Sequence, residues 1–172
     1  MGGTWRKLLG SPGARAWLVV ALWAGLVWAL GGDGFSASHT SRFLRPLLEW
    51  LFDDWTRREL NTALFWIRKA AHAVEYGLLT ALITRASLIG APRRVLRAVT
   101  LSLVCAIALA AADELRQGRS SRRTGTVRDV ALDSAGAIGG VALLLTGRAL
   151  WQRTRATRGT HEAMDAGGTP GG

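Results

Sequence analysis

Four apolar segments follow one another within 172 residues, and this succession limits the folds that the chain can adopt. Three of the segments contain no charged residue: 16–32, 98–112 and 134–147. The fourth covers residues 70–89 and is apolar apart from His72, Glu75 and Arg85. A membrane-spanning helix needs about 20 mostly apolar residues, so each shorter segment taken alone could also be a buried helix of a soluble protein. Four such segments in succession favour a membrane bundle.

The sequence therefore predicts an all-α fold, an integral membrane bundle of four transmembrane helices with a short interfacial amphipathic helix. The transmembrane domain covers residues 1–147, and its spans are predicted at about 16–34, 64–89, 95–117 and 129–148. Residues 148–172 are poor in apolar residues and are predicted to form a disordered cytoplasmic tail. A cleaved signal peptide is the alternative for the first segment, whose 17 uncharged residues favour a retained helix because a usual signal core is shorter.

The interfacial helix is predicted at residues 43–56, between the first two spans. Apolar residues recur there at helical spacing, from Phe43 to Trp55, and charged residues occupy the other face. Such a helix either lies on the membrane surface or caps the outer mouth of the bundle. The sequence leaves both positions open.

The net charge of +10 comes from basic residues that lie between the apolar segments rather than along one stripe. This distribution argues against a nucleic-acid partner and makes the lipid bilayer the expected partner. The positive-inside rule then places both termini in the cytoplasm, as in a multi-pass protein of the cell membrane. The arginines between residues 113 and 129 would face outward against this rule, so either the topology differs or these arginines bind an anionic group.

Polar residues at the start of the second span share one helix face. Lys69, His72 and Tyr76 are spaced three and four residues apart, and Glu75 lies beside them. A charged side chain at the centre of a membrane helix costs about 2.5–3.5 kcal/mol, so partners or water must meet this face inside the bundle. Snorkelling to the interface is the alternative for Lys69, and simple packing is the alternative for Tyr76.

The third span ends on two carboxylates, Asp113 and Glu114, with Gln117 one turn after Asp113. Together with His72 they are candidate catalytic groups, because histidine titrates near neutral pH and paired carboxylates can divide acid and base roles. The alternative is a structural network with nearby arginines. Arg123 is a candidate for bidentate recognition of a phosphate or carboxylate, or for a salt bridge to the same acids.

The last span begins with Asp129 and Asp133, and Gly136 and Gly140 follow at helical spacing. The two glycines permit close helix packing, and the two aspartates are candidates for a polar site. No metal site and no cofactor are predicted, because His72 has too few companions of the right type and spacing. The predicted ligand-binding residues are Lys69, Glu75, Tyr76, Gln117, Arg123, Asp129 and Asp133.

Three motifs in this order resemble those of the VanZ-like family of bacterial membrane proteins. They are Arg68-Lys69-Ala70-Ala71-His72-Ala73-Val74-Glu75-Tyr76, Asp113-Glu114-Leu115-Arg116-Gln117, and Arg123 followed by Asp129-Val130 with Asp133 and Gly136. The resemblance implies a four-helix membrane protein. It also implies a link to glycopeptide resistance, since the named member of the family confers low-level resistance to teicoplanin, while the biochemical mechanism of the family is largely unassigned.

Three functions compete at this point. The first is an outward-facing polar pocket that binds an anionic cell-envelope lipid or a peptidoglycan precursor. The second is an intramembrane hydrolase or transferase in which His72 works with Asp113 or Glu114 and Arg123 holds an oxyanion. The third is a small proton-coupled transporter, which would require a homo-oligomer because four helices are few for a monomeric carrier.

Overall fold

The computed structural model describes residues 10–31, 37–118 and 127–166, and every regular element in these ranges is a helix. In chain order the helices are α1 (Pro12–Leu30), α2 (Ala37–Leu51), α3 (Arg57–Gly90), α4 (Val95–Gly118) and α5 (Val127–Ala166). No strand occurs in the described ranges. The all-α prediction is confirmed for these residues.

Three of the described helices are long and apolar enough to cross a membrane. They are Pro12–Leu30, Val95–Arg116 within α4 and Arg128–Arg158 within α5. α3 is not among them, since its first half carries several charged residues, including Arg68 and Lys69. The fourth predicted span, at about 64–89, is therefore not confirmed by length and composition.

Local capping groups determine where α1 and α3 begin. The Ser11 hydroxyl accepts the N–H of Ala14 at 3.1 Å, and Pro12 follows at a position where its missing N–H costs no hydrogen bond. At α3 the Thr56 hydroxyl accepts the Glu59 N–H at 3.3 Å, while the Glu59 carboxylate accepts the Thr56 N–H at 2.7 Å. This capping box starts α3 at Arg57, earlier than the predicted second span.

α3 is the central helix, and it packs against each of the other four described helices. Its buried face includes Tyr76, Leu79 and Ile83. The buried hydroxyl of Thr80 donates to the carbonyl of Ala137 in α5 at 2.9 Å. One turn later the Thr84 hydroxyl donates to the Ser102 hydroxyl in α4 at 2.8 Å. The core therefore joins α3 to its neighbours through both apolar contacts and satisfied hydroxyl groups.

Glycines allow α3 and α5 to approach each other backbone to backbone. A Cβ atom on Gly136 would overlap the backbone of Ala73, and one on Gly140 would overlap the backbone of Gly77. The predicted packing role of Gly136 and Gly140 agrees with this contact. Gly136 meets Ala73 and Gly140 meets Gly77, so residue numbers increase in the same direction along both helices, and α3 and α5 run parallel.

α2 differs from its predicted bounds. It covers Ala37–Leu51 instead of about 43–56, and Asn61 of α3 accepts a hydrogen bond from the Arg45 guanidinium. The apolar side chains of Phe43, Leu47 and Trp50 are exposed. The partly covered residues of α2 are Ser41, Leu44, Arg45 and Leu48, so α2 contacts α3 through both polar and apolar side chains and leaves part of its apolar side uncovered by the described chain.

α5 extends well beyond residue 148, where the sequence predicts a disordered tail. The helix continues to Ala166, which corrects that prediction for residues 148–166. Residues 151–158 are all exposed, so the extension projects from the bundle. This stretch contains several good helix formers, such as Leu150, Gln152 and Arg153, which explains why helix persists without packing. Residues 167–172 lie outside the described part of the chain.

Candidate functional site

Side chains from α3, α4 and α5 meet at one end of the bundle and form a polar cluster. α5 contributes residues near its N-terminal end, α3 contributes residues near its middle, and α4, which runs antiparallel to both, contributes residues near its C-terminal end. The polar cluster consists of Lys69, His72, Glu75, Tyr76, Asp113, Glu114, Arg116, Asp129 and Asp133. The sequence-based prediction that separate helices bring these groups together agrees with this arrangement.

The deepest part of the polar cluster is formed by His72, Asp133 and Tyr76. Nδ1 of His72 lies 3.8 Å from Oδ1 of Asp133, an ion-pair distance that is too long for a hydrogen bond. The side chain of Asp133 is 3 % exposed and that of His72 is 22 % exposed. Oδ1 of Asp133 and the hydroxyl of Tyr76 are buried and have no hydrogen-bond partner among the described residues. Two buried polar atoms at this position therefore remain available to a further group.

Lys69 and Asp129 close the outer rim of the polar cluster. The Lys69 ammonium donates to the Asp129 carboxylate, and the two side chains are partly exposed. The same ammonium lies 5.4 Å from the centre of the Phe65 ring. Asp129 belongs to the first turn of α5, where the helix dipole favours a carboxylate. This pair joins the middle of α3 to the first turn of α5.

Asp113 is held by Arg116, one turn later in α4. A guanidinium nitrogen of Arg116 lies 2.5 Å from the Asp113 carboxylate and donates to the carbonyl of Trp28 at 2.8 Å. The guanidinium also stacks over the Trp28 ring at 4.2 Å. Gly31, just after α1, also faces the Asp113 carboxylate. A Cβ atom on Gly31 would overlap that carboxylate. These interactions connect α1 to the polar cluster.

Glu75 and Glu114 add two more carboxylates close to this centre. Glu114 is buried, and its charge acts on both Lys69 and Asp133. The backbone carbonyl of Glu75 accepts a hydrogen bond from the Trp23 indole at 3.0 Å, which ties α1 to α3. Glu75 itself acts on Asp133 through its charge.

The polar cluster has an excess of acidic groups. Its carboxylates are Glu75, Asp113, Glu114, Asp129 and Asp133. Its basic groups are Lys69, Arg116 and, when it is protonated, His72. Among these groups Oδ1 of Asp133 is the buried carboxylate oxygen that has no hydrogen-bond partner in the described part of the chain, and such an atom is costly to leave unmet. This position therefore suits a group that donates a hydrogen bond.

The structure describes most of the residues selected from the sequence. Lys69, His72, Tyr76 and the acidic residues of all three helices lie together, whereas Arg123 and the side chain of Gln117 lie outside the described residues. Arg116 and Trp28 were not selected as site residues. The i,i+3 spacing of Asp113 and Arg116 could have indicated the ion pair, but no local signal places Trp28 beside Arg116.

The chemistry open to the polar cluster is hydrogen bonding and proton transfer. No group of three His, Cys, Asp or Glu side chains in the described ranges has the geometry to hold a metal ion. The imidazole of His72 has ring nitrogens that can accept or donate a proton, and the carboxylate of Asp133 lies close enough to orient it. Lys69 and Asp129 at the rim are partly exposed, whereas the side chain of Asp133 is buried.

Comparison with known proteins gives one match. A family model described as VanZ/LLP1 matches residues 16–150, which include every residue of the polar cluster. No curated protein matches the chain. No solved structure matches it either.

Proposed function

This chain belongs to the VanZ/LLP1 family, and on that premise we propose that it is a multi-pass membrane protein that binds an envelope ligand. The polar cluster opens toward the outer face of the membrane. Its ligand is the polar head of an envelope lipid or of a peptidoglycan-related molecule. The resemblance to VanZ adds a link to glycopeptide resistance of the teicoplanin type.

The outward side of α3 supports a fourth span. Between residues 70 and 84 the exposed residues of α3 are Ala70, Ala71, Val74 and Leu78, all of them apolar. The charged residues of the same stretch turn toward the polar cluster. A helix with this arrangement can face lipid on one side even though its average composition is too polar for a simple span.

α2 is proposed to lie on the outer membrane surface. Phe43, Leu47, Trp50 and Leu51 are large apolar residues that the described chain leaves exposed. A helix with an uncovered apolar face and a polar opposite face is typical of the membrane interface. This position places α2 beside the opening of the polar cluster.

The distribution of arginines supports the orientation. Among the described residues, more exposed arginines lie at the end of the bundle opposite the polar cluster, including Arg93, Arg94, Arg97 and Arg153, than at the cluster's end, which has Arg42, Arg57, Arg58 and Arg128. The positive-inside rule assigns that end to the cytoplasm, and the polar cluster then faces outward.

The observation that carries the ligand proposal is that Oδ1 of Asp133 and the hydroxyl of Tyr76, beside His72, are buried and have no hydrogen-bond partner among the described residues. Leaving a buried polar group without a partner costs about 1–3 kcal/mol, and a ligand hydroxyl or amine would remove that cost. Sugar and peptide groups of an envelope precursor supply such donors. A phosphate of the same ligand would meet basic groups at the rim, such as Lys69, and Arg123 is the sequence-based candidate for bidentate contact.

Binding to purified full-length protein in nanodiscs of zwitterionic lipid tests this proposal. The probes are a polyprenyl phosphate and a polyprenyl-linked disaccharide peptide. We expect the larger probe to bind more tightly. Asp133→Asn should raise the Kd for this probe about tenfold, which corresponds to a loss of about 1.4 kcal/mol of binding free energy. Asp53→Asn is the matched control, since it makes the same change on an exposed turn outside the polar cluster. Absence of saturable binding, or equal affinity of the Asp133→Asn and Asp53→Asn proteins, contradicts the proposal.

The proposed link to resistance needs a separate test in cells. Teicoplanin susceptibility is compared in cells that express the wild-type chain, the Asp133→Asn variant or the Asp53→Asn variant at equal levels. We expect the wild-type and Asp53→Asn chains to lower susceptibility and the Asp133→Asn chain to lower it less. Equal susceptibility of cells with and without the chain contradicts the link and leaves ligand binding unaffected.

The His72–Asp133 pair favours intramembrane acid–base chemistry as a second candidate function. In a hydrolysis of an envelope phosphoester, His72 would take a proton from water as the water oxygen bonds to phosphorus. The bond from phosphorus to the leaving oxygen breaks, and Glu114 would return a proton to that oxygen. His72→Gln should then reduce turnover by at least about 100-fold while the lipid still binds. Absence of product from labelled envelope lipids with the wild-type protein excludes this candidate.

A further inference from the structure

A groove lies between the second half of α3 and the middle of α5, at the opposite end of the bundle from the polar cluster. It encloses about 500 Å³, and its lining includes Arg85, Ile89, Leu143, Gly147, Arg148 and Trp151. Leu143 is 77 % exposed, so the apolar wall of the groove is open to its surroundings. Two arginines and a tryptophan stand beside that apolar wall.

The groove contains no carboxylate to balance its arginines. The chain has no Asp or Glu at residues 76–112 or 134–161, and these ranges include both walls. Arg148 donates a long hydrogen bond to the Pro92 carbonyl at 3.5 Å, and Arg155 stacks over the Trp151 ring at 3.7 Å. Neither contact supplies a negative charge. The electrostatic complement of this groove is therefore an anion from outside the described chain.

The combination of groups selects an amphiphilic anion. Guanidinium groups bind phosphate oxygens through charge-assisted hydrogen bonds. Tryptophan settles at the level of lipid headgroups, and Leu143 and Leu144, on the side of the arginines that faces the middle of the bundle, present an apolar surface suited to an acyl chain. A free phosphate would use the arginines but not the apolar wall.

We propose that this groove is a binding site for an acidic phospholipid of the cytoplasmic leaflet. The phosphate lies between Arg85 and Arg148, and one acyl chain lies along Leu143 and Leu144, about one turn closer to the middle of the bundle. The inference uses the membrane placement proposed above and is independent of any ligand of the polar cluster. It assigns a lipid partner to the end of the bundle that the polar cluster does not use.

Gly147 offers a direct way to block the groove. A Cβ atom on Gly147 would meet no other atom within 4 Å, so a larger side chain can enter the open space without a clash. Gly139 is equally open, lies on the same helix and does not line the groove. Gly147→Leu and Gly139→Leu therefore form a matched pair of test and control.

The experiment is native mass spectrometry of the purified full-length protein with added lipid. Phosphatidylglycerol and phosphatidylcholine with the same acyl chains are compared at equal concentration. We expect the wild type to bind phosphatidylglycerol in preference to phosphatidylcholine. Arg85→Gln and Arg148→Gln should each lower the affinity for phosphatidylglycerol about fivefold. Arg93→Gln with Arg94→Gln removes two charges outside the groove and should leave the preference unchanged. Gly147→Leu should displace the lipid, and Gly139→Leu should not.

The possible outcomes separate this inference from its alternatives. Equal binding of the two lipids, or equal loss in the test and control variants, overturns the proposal. If inorganic phosphate competes as effectively as phosphatidylglycerol, the arginines bind a free anion, and this result also overturns the proposal. A change of oligomeric state in Gly147→Leu without loss of lipid indicates a second copy of the chain in the groove instead. Unchanged lipid binding in Asp133→Asn shows that the result does not depend on the polar cluster.

Discussion

Replacing Gly140 by alanine should destabilise the bundle, because α5 rests directly on the backbone of α3 there. The added Cβ would lie 2.7 Å from Cα of Gly77, well inside the 3.4–4 Å of ordinary contact. The neighbouring atoms are backbone, which cannot swing away as a flexible side chain can. Gly140→Ala must therefore push the two helices apart by about 1 Å or strain them locally.

The magnitude follows from two opposing effects. Overpacking of this kind costs about 1–3 kcal/mol. Alanine is favoured over glycine inside a helix by about 0.8–1.0 kcal/mol, which offsets part of the cost. Gly139→Ala experiences only the second effect, since its Cβ would meet no atom within 4 Å. We therefore expect Gly140→Ala to be less stable than Gly139→Ala by about 1–3 kcal/mol.

Unfolding of both variants by sodium dodecyl sulfate in mixed micelles, followed by circular dichroism, measures this difference. Comparing the two variants rather than each with the wild type removes the shared helix-propensity effect. If Gly140→Ala unfolds at the same detergent fraction as Gly139→Ala, the close contact of α3 and α5 is not as described and the reasoning fails. Gly136→Ala should behave like Gly140→Ala, because it faces the backbone of Ala73.

Two further predictions concern the ends of the helices. Arg116→Gln leaves the buried carboxylate of Asp113 without its ion-pair partner and removes the hydrogen bond to the Trp28 carbonyl. Because Arg116 is partly exposed, we expect a loss of about 1–3 kcal/mol in the same unfolding assay, and Asp113→Asn in the Arg116→Gln background should recover part of it. At α3, hydrogen bonds from the side chain and backbone of Thr56 lower the pKa of Glu59 below its usual range. Because this pKa is lower in the folded than in the unfolded chain, the Glu59 carboxylate stabilises the helix at every pH above its unfolded pKa. The stabilisation is lost as the pH falls through the folded pKa, so acid should weaken the first turn of α3. In an NMR titration the Glu59 midpoint should rise toward its usual range in Thr56→Ala, and an unchanged midpoint would contradict the capping-box explanation.

The sequence predicted the positions of the site residues better than the extents of the helices. Lys69 and His72 on one helix are three residues apart and Asp129 and Asp133 on another are four apart, about one turn in each case, so parallel packing pairs them. The Gly136 to Gly140 spacing gave a further signal for that packing. The prediction worked where periodicity along one helix was enough to identify its inner face.

Contacts between distant helices and the ends of helices could not be predicted in the same way. Arg116 meets Trp28 only because α1 and α4 pack side by side, and nothing near either residue in the chain indicates it. The capping box at Thr56 and Glu59 was visible as a local pattern, but the start of α3 was instead placed by the apolar segment. α5 continues past its apolar part because helix propensity, which a hydropathy pattern does not measure, sustains it to Ala166.

The two proposed sites lie on the same pair of parallel helices but are electrostatically separate. From Asp133 to Arg148 the axis of α5 advances by about 22 Å at 1.5 Å per residue. Salt at physiological strength screens the charge of the exposed Arg85 over about 8 Å, a distance much shorter than this separation. Between them the contact of Gly77, Gly136 and Gly140 is made of backbone atoms and carries no side-chain charge. A change of charge at one site should therefore leave binding at the other unaltered, so the two proposals stand or fall on separate measurements.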